Sequence, residues 1–246
     1  YIMGIAFIAL VLLIARKNGV KALFALIVTI AFIIKIFIPA IYSGYSPILF
    51  AIITAVFSSL VTIYFTVGMN KKFVVALLGV TSGVLIAGIL SYIFTYTMRL
   101  NGFLDSDLLS CAYLLKKIKI KELIPAGVII GSLGAVMDVA VSITSSINEL
   151  HEANPNISKK SMFKSAINIG NDIIGTMINT LILAYIASSI FTLLLIYIQA
   201  NEYPLIRILN FQDITVEIMR SICGSIGILI SVPLTAYIGT LIYKKK

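Results

Sequence analysis

Two carboxylic acids stand inside stretches that otherwise read as membrane-spanning helix. They are the residues whose types and places could do chemistry. Asp138 lies in Gly131-Ser132-Leu133-Gly134-Ala135-Val136-Met137-Asp138-Val139-Ala140-Val141-Ser142, and Asp172 in Asn168-Ile169-Gly170-Asn171-Asp172-Ile173-Ile174-Gly175-Thr176. A charge at the bilayer centre costs about 2.5–3.5 kcal/mol on insertion scales. A carboxyl in such surroundings favours its neutral form, so it can take up and release a proton near neutral pH. Two of them beside hydroxyl and amide groups are the parts of a proton or cation relay.

Helical spacing gathers the neighbours of each acid onto one face. Gly131, Gly134, Asp138, Ser142, Ser145 and Glu149 form the first stripe. Asn168, Asp172, Gly175 and Asn179 form the second, with Asn171 and Thr176 beside them. Glu217, Arg220, Gly224, Gly227, Ser231 and Thr235 form the third. The expected packing buries these polar faces against one another. The candidate ion or proton path is then Asp138, Asp172, Asn168, Asn179, Ser142 and Ser145. Gly131, Gly134, Gly175, Gly224 and Gly227 are the candidate close contacts.

A second reading makes all three stripes tight helix contacts, with Asn and Ser as hydrogen-bonding glue worth about 0.6–2 kcal/mol each. It fits Gly, Ser and Asn well. It fits Asp138 poorly, because Asn would glue with less desolvation. Asp172 also has a local alternative, as a cap or dipole partner at a helix start near the membrane boundary. Glu217 and Arg220, one turn apart, read as a local ion pair.

The chain that must position these residues has 246 residues, of which 60% are hydrophobic and 12% charged, with mean hydropathy +1.07. Soluble domains carry about 25% charged residues, so this chain lacks the polar surface to sit in water. Its apolar runs have the length of membrane helices rather than of barrel strands. The net charge of +9 sits mainly in short loops. It therefore reports topology and not nucleic acid. Cys111 and Cys223 have no metal-type spacing, and the one His, His151, is expected as a solvated loop residue. No metal and no cofactor are expected. No nucleophile stands at catalytic spacing from a base, and no zinc-protease, hydrolase or phosphate-loop motif occurs. We expect no enzyme. An intramembrane aspartyl hydrolase would need Asp138 and Asp172 to face each other.

The expected fold is all-α, a single polytopic domain over 1–246 with about seven transmembrane helices. Tyr1 to Ala15 is the first span, and Arg16-Lys17-Asn18-Gly19-Val20-Lys21 stops it. Ala22 to Ile41 is the second, with Lys35 snorkelling near its end. Ile48 to Gly68 is the third and Phe73 to Met98 the fourth, with the small-residue pattern Gly79 to Gly83. The connection 99–123 is expected to carry an interfacial helix over Leu108 to Lys116. Ile124 to Ile147 is the fifth span. Met162 to Tyr197 is too long for one crossing. It is expected to run along the interface up to about Gly170, bend at Gly170 or Gly175, and cross from Asp172 to Ile196. Thr215 to Tyr243 is the seventh span, broken at Pro233.

Alternating sides, the larger share of Lys and Arg falls with the C-terminal Lys244-Lys245-Lys246. This predicts a cytoplasmic C-terminus. Beginning at Tyr1 inside a short apolar run, the sequence is expected to lack its natural N-terminal part. Expected partners are membrane lipid and either further copies of the chain or other proteins.

The segments Gly131 to Ile143, Asn168 to Tyr185, and Gly224-Ser225-Ile226-Gly227 with Pro233 resemble the YibE/F-like family of bacterial membrane proteins. The resemblance spans about residues 70 to 243. Where family members usually carry Arg, this chain has Asn171. The resemblance implies a multi-pass protein of the bacterial cytoplasmic membrane, in a family described as uncharacterised or as containing transporters. A fainter likeness is to the membrane halves of the proton-driven SecD/SecF and RND exporters. Together these imply a transport or translocation component coupled to protons or another cation. The rival is a membrane scaffold or assembly subunit of a larger complex.

Overall fold

A computed structural model describes residues 2–102, 117–199 and 204–243. Among these residues every regular element is helical. Six helices are long and apolar enough to cross a membrane. The expected interfacial helix over Leu108 to Lys116 lies outside the described residues, as do Cys111 and Lys244 to Lys246.

Helix α1, Ile2–Phe32, loses helical geometry at Arg16, where φ is 47° and ψ is −125°. The chain folds back sharply there. A Cβ on Gly19 would stand 2.6 Å from the Val11 carbonyl oxygen, so only glycine allows the approach. The two expected N-terminal spans are therefore the two limbs of one bent element, Ile2–Tyr42, which stands as one of the six. The second limb runs through a π-helical turn, Ile33–Phe37, into α2, Ile38–Tyr42. Pro39 explains the turn, since it has no N–H for the Lys35 carbonyl and its ring crowds that oxygen.

Helix α3, Pro47–Val67, starts on a Ser46 cap with Pro47 in its first turn, where a missing N–H costs nothing. It holds α1 through the Thr29–Ser58 hydroxyl contact at 3.0 Å and stacked Phe32 and Phe57 rings. Helix α4, Lys71–Thr97, is capped by Asn70, whose Oδ1 accepts from the Phe73 amide at 3.2 Å. Helix α5 is Ile120–Ala153 and α6 is Lys159–Ser188. Then come α7, Ile190–Gln199, and α8, Leu205–Leu209. Helix α9, Gln212–Tyr243, runs unbroken through Pro233.

Helices α4, α5 and α9 form the centre, with α6 against α9 and α5, α3 against α4 and α5, and α1 outermost on α3. Small residues set the close crossings. A Cβ on Gly83 would meet Val136 Cγ1 at 2.7 Å, Ser231 Cβ at 2.8 Å and the Gly227 carbonyl at 3.0 Å. Gly79, one turn earlier, lies directly on Thr235. With no hydrophobic force between helices in lipid, such backbone approach supplies the packing energy.

The two ends of the bundle are distinct. At one, Ser46 donates to the Glu122 carboxylate, and Lys119 pairs with Glu122 at 3.7 Å. At the other, the Tyr243 hydroxyl donates to Asn148 at 2.9 Å, Asn148 donates to Glu152 at 2.6 Å, and Lys71 lies over the Tyr243 ring.

The sixth span differs from expectation. Helix α6 is continuous from its Ser158 cap, whose oxygen accepts from the Ser161 amide at 3.1 Å, to Ser188. It has no bend at Gly170 or Gly175. Gly170 is buried on Val232 of α9, so it serves a close helix crossing. The excess length is relieved later, at Ser189, before α7 begins. Helix α9 likewise shows no break at Pro233, as membrane helices can absorb a proline.

Candidate functional site

The α5–α6 hairpin positions both acids, through a polar turn from Asn154 to Ser158. Its register follows from two contacts. A Cβ on Gly131 would stand 2.8 Å from the Tyr185 hydroxyl, and one on Gly170 would stand 3.4 Å from Ile143 Cδ1. In an antiparallel pair this puts Asp138 level with about residues 175 to 178. Asp172 then lies roughly 5–9 Å from it along the axis at 1.5 Å per residue. Each acid falls near the middle of its helix. Asp172 is thus well inside α6, whose first turn is capped by Ser158. The alternative of Asp172 as a cap at a helix start fails on this geometry.

The stripes do not pack as expected. Gly131, Gly134, Asp138, Ser142 and Glu149 are exposed, and Ser145 is half-buried. On α6, Asn168, Asn171, Asp172, Gly175, Thr176 and Asn179 are exposed as well. Apolar residues on the opposite faces fill the core instead: Val136, Val139, Ala140 and Ile143 from α5, and Met162, Ala166 and Leu181 from α6. Among the described residues neither Asp138 nor Asp172 has a hydrogen-bond or ion-pair partner. Nothing lies within 4 Å of a Cβ built on Gly134 or Gly175. Among the described residues these two glycines make no contact with another helix.

The third stripe behaves otherwise. Gly224, Gly227, Ser231 and Thr235 are buried. Gly227 faces Ala87, and Gly224 faces Leu181 and Ser132. At its outer end Arg220 pairs with Glu217 at 2.6 Å, as their spacing implied.

Two features were not visible in the stripes. The Tyr185 hydroxyl is buried beside Gly131 and within electrostatic range of Glu217 and Arg220. The sequence signal was the i, i+4 step Leu181–Tyr185 facing small residues. His151 stands in the last turn of α5 and is half-buried with its ring edge-on to Tyr243 at 5.5 Å, rather than solvated in a loop. The Tyr243 ring packs against it. Among the described residues no three of His, Cys, Asp and Glu converge as metal ligands.

Chemically, the arrangement offers two unpaired carboxyls at neighbouring depths, with amides and hydroxyls along the same outer faces. No curated protein and no solved structure matches the chain. The likeness to SecD/SecF and RND exporters therefore rests on motif spacing alone. The model of the YibE/F-like protein family matches residues 3–245, well beyond the three motif segments. With that match over nearly its whole length and six helices fit to span a bilayer, the chain is a multi-pass membrane protein belonging to the YibE/F-like family.

Proposed function

We propose that this protein is a transport or translocation component of the bacterial cytoplasmic membrane, coupled to protons or another cation through Asp138 and Asp172. The C-terminus is cytoplasmic in this reading. The observation that carries it is the pair of unpartnered carboxyls near the middles of two adjacent spans. Packing does not account for them. Asn in their place would give the same contacts at a lower desolvation cost. Ser142, Ser145, Asn168 and Asn179 extend the polar face along the membrane normal and supply groups that could hold water or a cation.

The described residues form only one wall of such a path, because both stripes point out of the bundle they make. A second copy or another protein supplies the opposite wall. The same exposure favours the rival reading, a non-catalytic scaffold whose stripes are assembly surfaces. Proton uptake into liposomes under an imposed potential separates the two. Transport predicts uptake that Asp138→Asn removes from a normally folded protein. A scaffold predicts no such uptake, with Asp138→Asn altering at most what assembles with the chain.

A further inference from the structure

A groove between α3, α4 and α5 lies apart from the outer faces that carry Asp138 and Asp172. It measures about 140 Å³. Ile48 and Ile52 of α3, Leu85, Ile89 and Tyr92 of α4, and Ile129 of α5 line it. Ile89 and Tyr92 are exposed, so the groove opens on the lipid-facing side of the bundle. Charged and hydroxyl groups stand over one end of it. Ser46, two residues before Ile48, donates to the Glu122 carboxylate. Glu122 precedes Ile129 on α5 by seven residues, about two turns on the same face. Lys119 Nζ stands 3.7 Å from Glu122 Oε1, a loose pair with 56% of the Lys119 side chain and 15% of the Glu122 side chain exposed. Tyr96 is one turn beyond Tyr92, their rings 4.5 Å apart, and it lies within electrostatic range of Glu122. Tyrosines at the end of a span mark headgroup depth. The acid and the base therefore sit at that depth, with the apolar groove below them at acyl depth.

We propose that this site binds phosphatidylethanolamine, with an acyl chain in the groove, the ammonium on Glu122 and the phosphate on Lys119. A carboxylate offers about four lone-pair sites, so Ser46 and Lys119 leave Glu122 with acceptor capacity. A primary ammonium brings three N–H donors and no acceptor. The ammonium and phosphate of one head group complement both charges of the exposed Glu122–Lys119 pair, and such charge-assisted bonds are the strong ones. Phosphatidylglycerol brings no cation for Glu122, and phosphatidylcholine brings no N–H. The groove is smaller than the roughly 300–1,000 Å³ of drug-sized sites, which suits part of one acyl chain. The inference stands independently of proton coupling.

The test uses the full chain in phosphatidylcholine vesicles, with phosphatidylethanolamine carrying a photoactivatable group in its acyl chain as probe. The expected result is saturable labelling of peptides covering 48–52, 85–92 and 129. Unlabelled phosphatidylethanolamine should compete about ten-fold better than added phosphatidylglycerol or phosphatidylcholine, the worth of one charge-assisted hydrogen bond. Glu122→Gln keeps an acceptor for Ser46 and should bring the three competitors level. Ile89→Trp, which adds bulk at a lining position, should remove the saturable labelling. Equal competition by all three lipids in the wild type would mean ordinary boundary lipid and would overturn the proposal. Stronger competition by phosphatidylglycerol would mean that the lysines alone select an anionic lipid, and would overturn it too. So would groove peptides that take no label at any probe concentration, since another part of the chain or a partner protein would then cover them. The competition needs only the wild type, so it decides even if a variant misfolds.

Discussion

Asp138 and Asp172 lie on adjacent antiparallel helices within roughly 5–9 Å of the same depth, a register set by the Gly131–Tyr185 and Ile143–Gly170 contacts at 1.5 Å per residue. Both are exposed and unpartnered among the described residues. Both carboxyls are thereby open to reagents that approach the outer face of the bundle.

Reactivity toward a membrane-soluble carbodiimide follows, since that reagent attacks the protonated carboxyl. We expect adducts at Asp138 and Asp172 in vesicles and faster modification as pH falls. Asp138→Asn removes its own adduct and leaves that of Asp172. Peptide mass mapping reads this directly. Absence of adducts at both sites across acid and neutral pH would contradict protonatable carboxyls at this depth.

Glycines on the core and outer faces should respond oppositely to a side chain. Gly83→Val forces methyl groups onto Val136, Ser231 and the Gly227 carbonyl, which costs about 1–3 kcal/mol. Gly134→Ala and Gly175→Ala meet open space. They should leave the unfolding midpoint in detergent unchanged or raise it, since Ala gains up to about 1 kcal/mol over Gly in a helix. If either outer glycine instead disrupts assembly without affecting the monomer, it marks the surface that a second chain covers.

The Glu217–Arg220 pair is only about three-quarters buried, at 26% and 25% side-chain exposure. Glu217→Gln should destabilise the bundle by about 1–3 kcal/mol, since it weakens a charge-assisted bond beside buried polar atoms. Exchanging the two residues, Glu217→Arg with Arg220→Glu, should recover part of that loss. Thermal unfolding of the single and double variants measures the coupling.

Topology follows from the two ends of the bundle. The turns around Asn70 and Asn156 lie with Tyr243, and the turn at Ser43–Gly44 lies at the opposite end beside Lys117. With the C-terminus cytoplasmic, a cysteine introduced at Asn156 should be shielded from an impermeant thiol reagent in intact cells. One at Ser43 should react. The reverse pattern would invert the proposed orientation.

Much of the architecture was legible because membrane helices announce themselves by length and apolarity. Asp138 stood out because no other charge shares its run. The depth of Asp172 was not legible. The polar cluster Asn168 to Asp172 resembles a membrane boundary when read as hydropathy. Only the burial of Gly170 on Val232 and the Ser158 cap show it to be mid-helix. Periodicity gave each stripe its face but no direction for that face. The α9 stripe turned inward because Gly227 and Ser231 meet Gly83 and Thr235 meets Gly79. The α5 and α6 stripes turned outward because the opposite faces held the larger apolar residues. Tyr185 was missed because its one signal, the i, i+4 step from Leu181, does not by itself say that Gly131 and Gly224 face it. The bend at Arg16 came with no proline, and the Asn18-Gly19 step marked it only to within a few residues.

The central claim is that Asp138 and Asp172 serve one path. Its most direct test is proton uptake into liposomes under an imposed potential, for the wild type, Asp138→Asn, Asp172→Asn and the double variant, all monodisperse. Groups acting as a unit are non-additive. We expect uptake above protein-free vesicles in the wild type, loss in each single variant, and no further loss in the double. Uptake equal in all four proteins, or a wild type no different from protein-free vesicles, would contradict a proton path through these two residues.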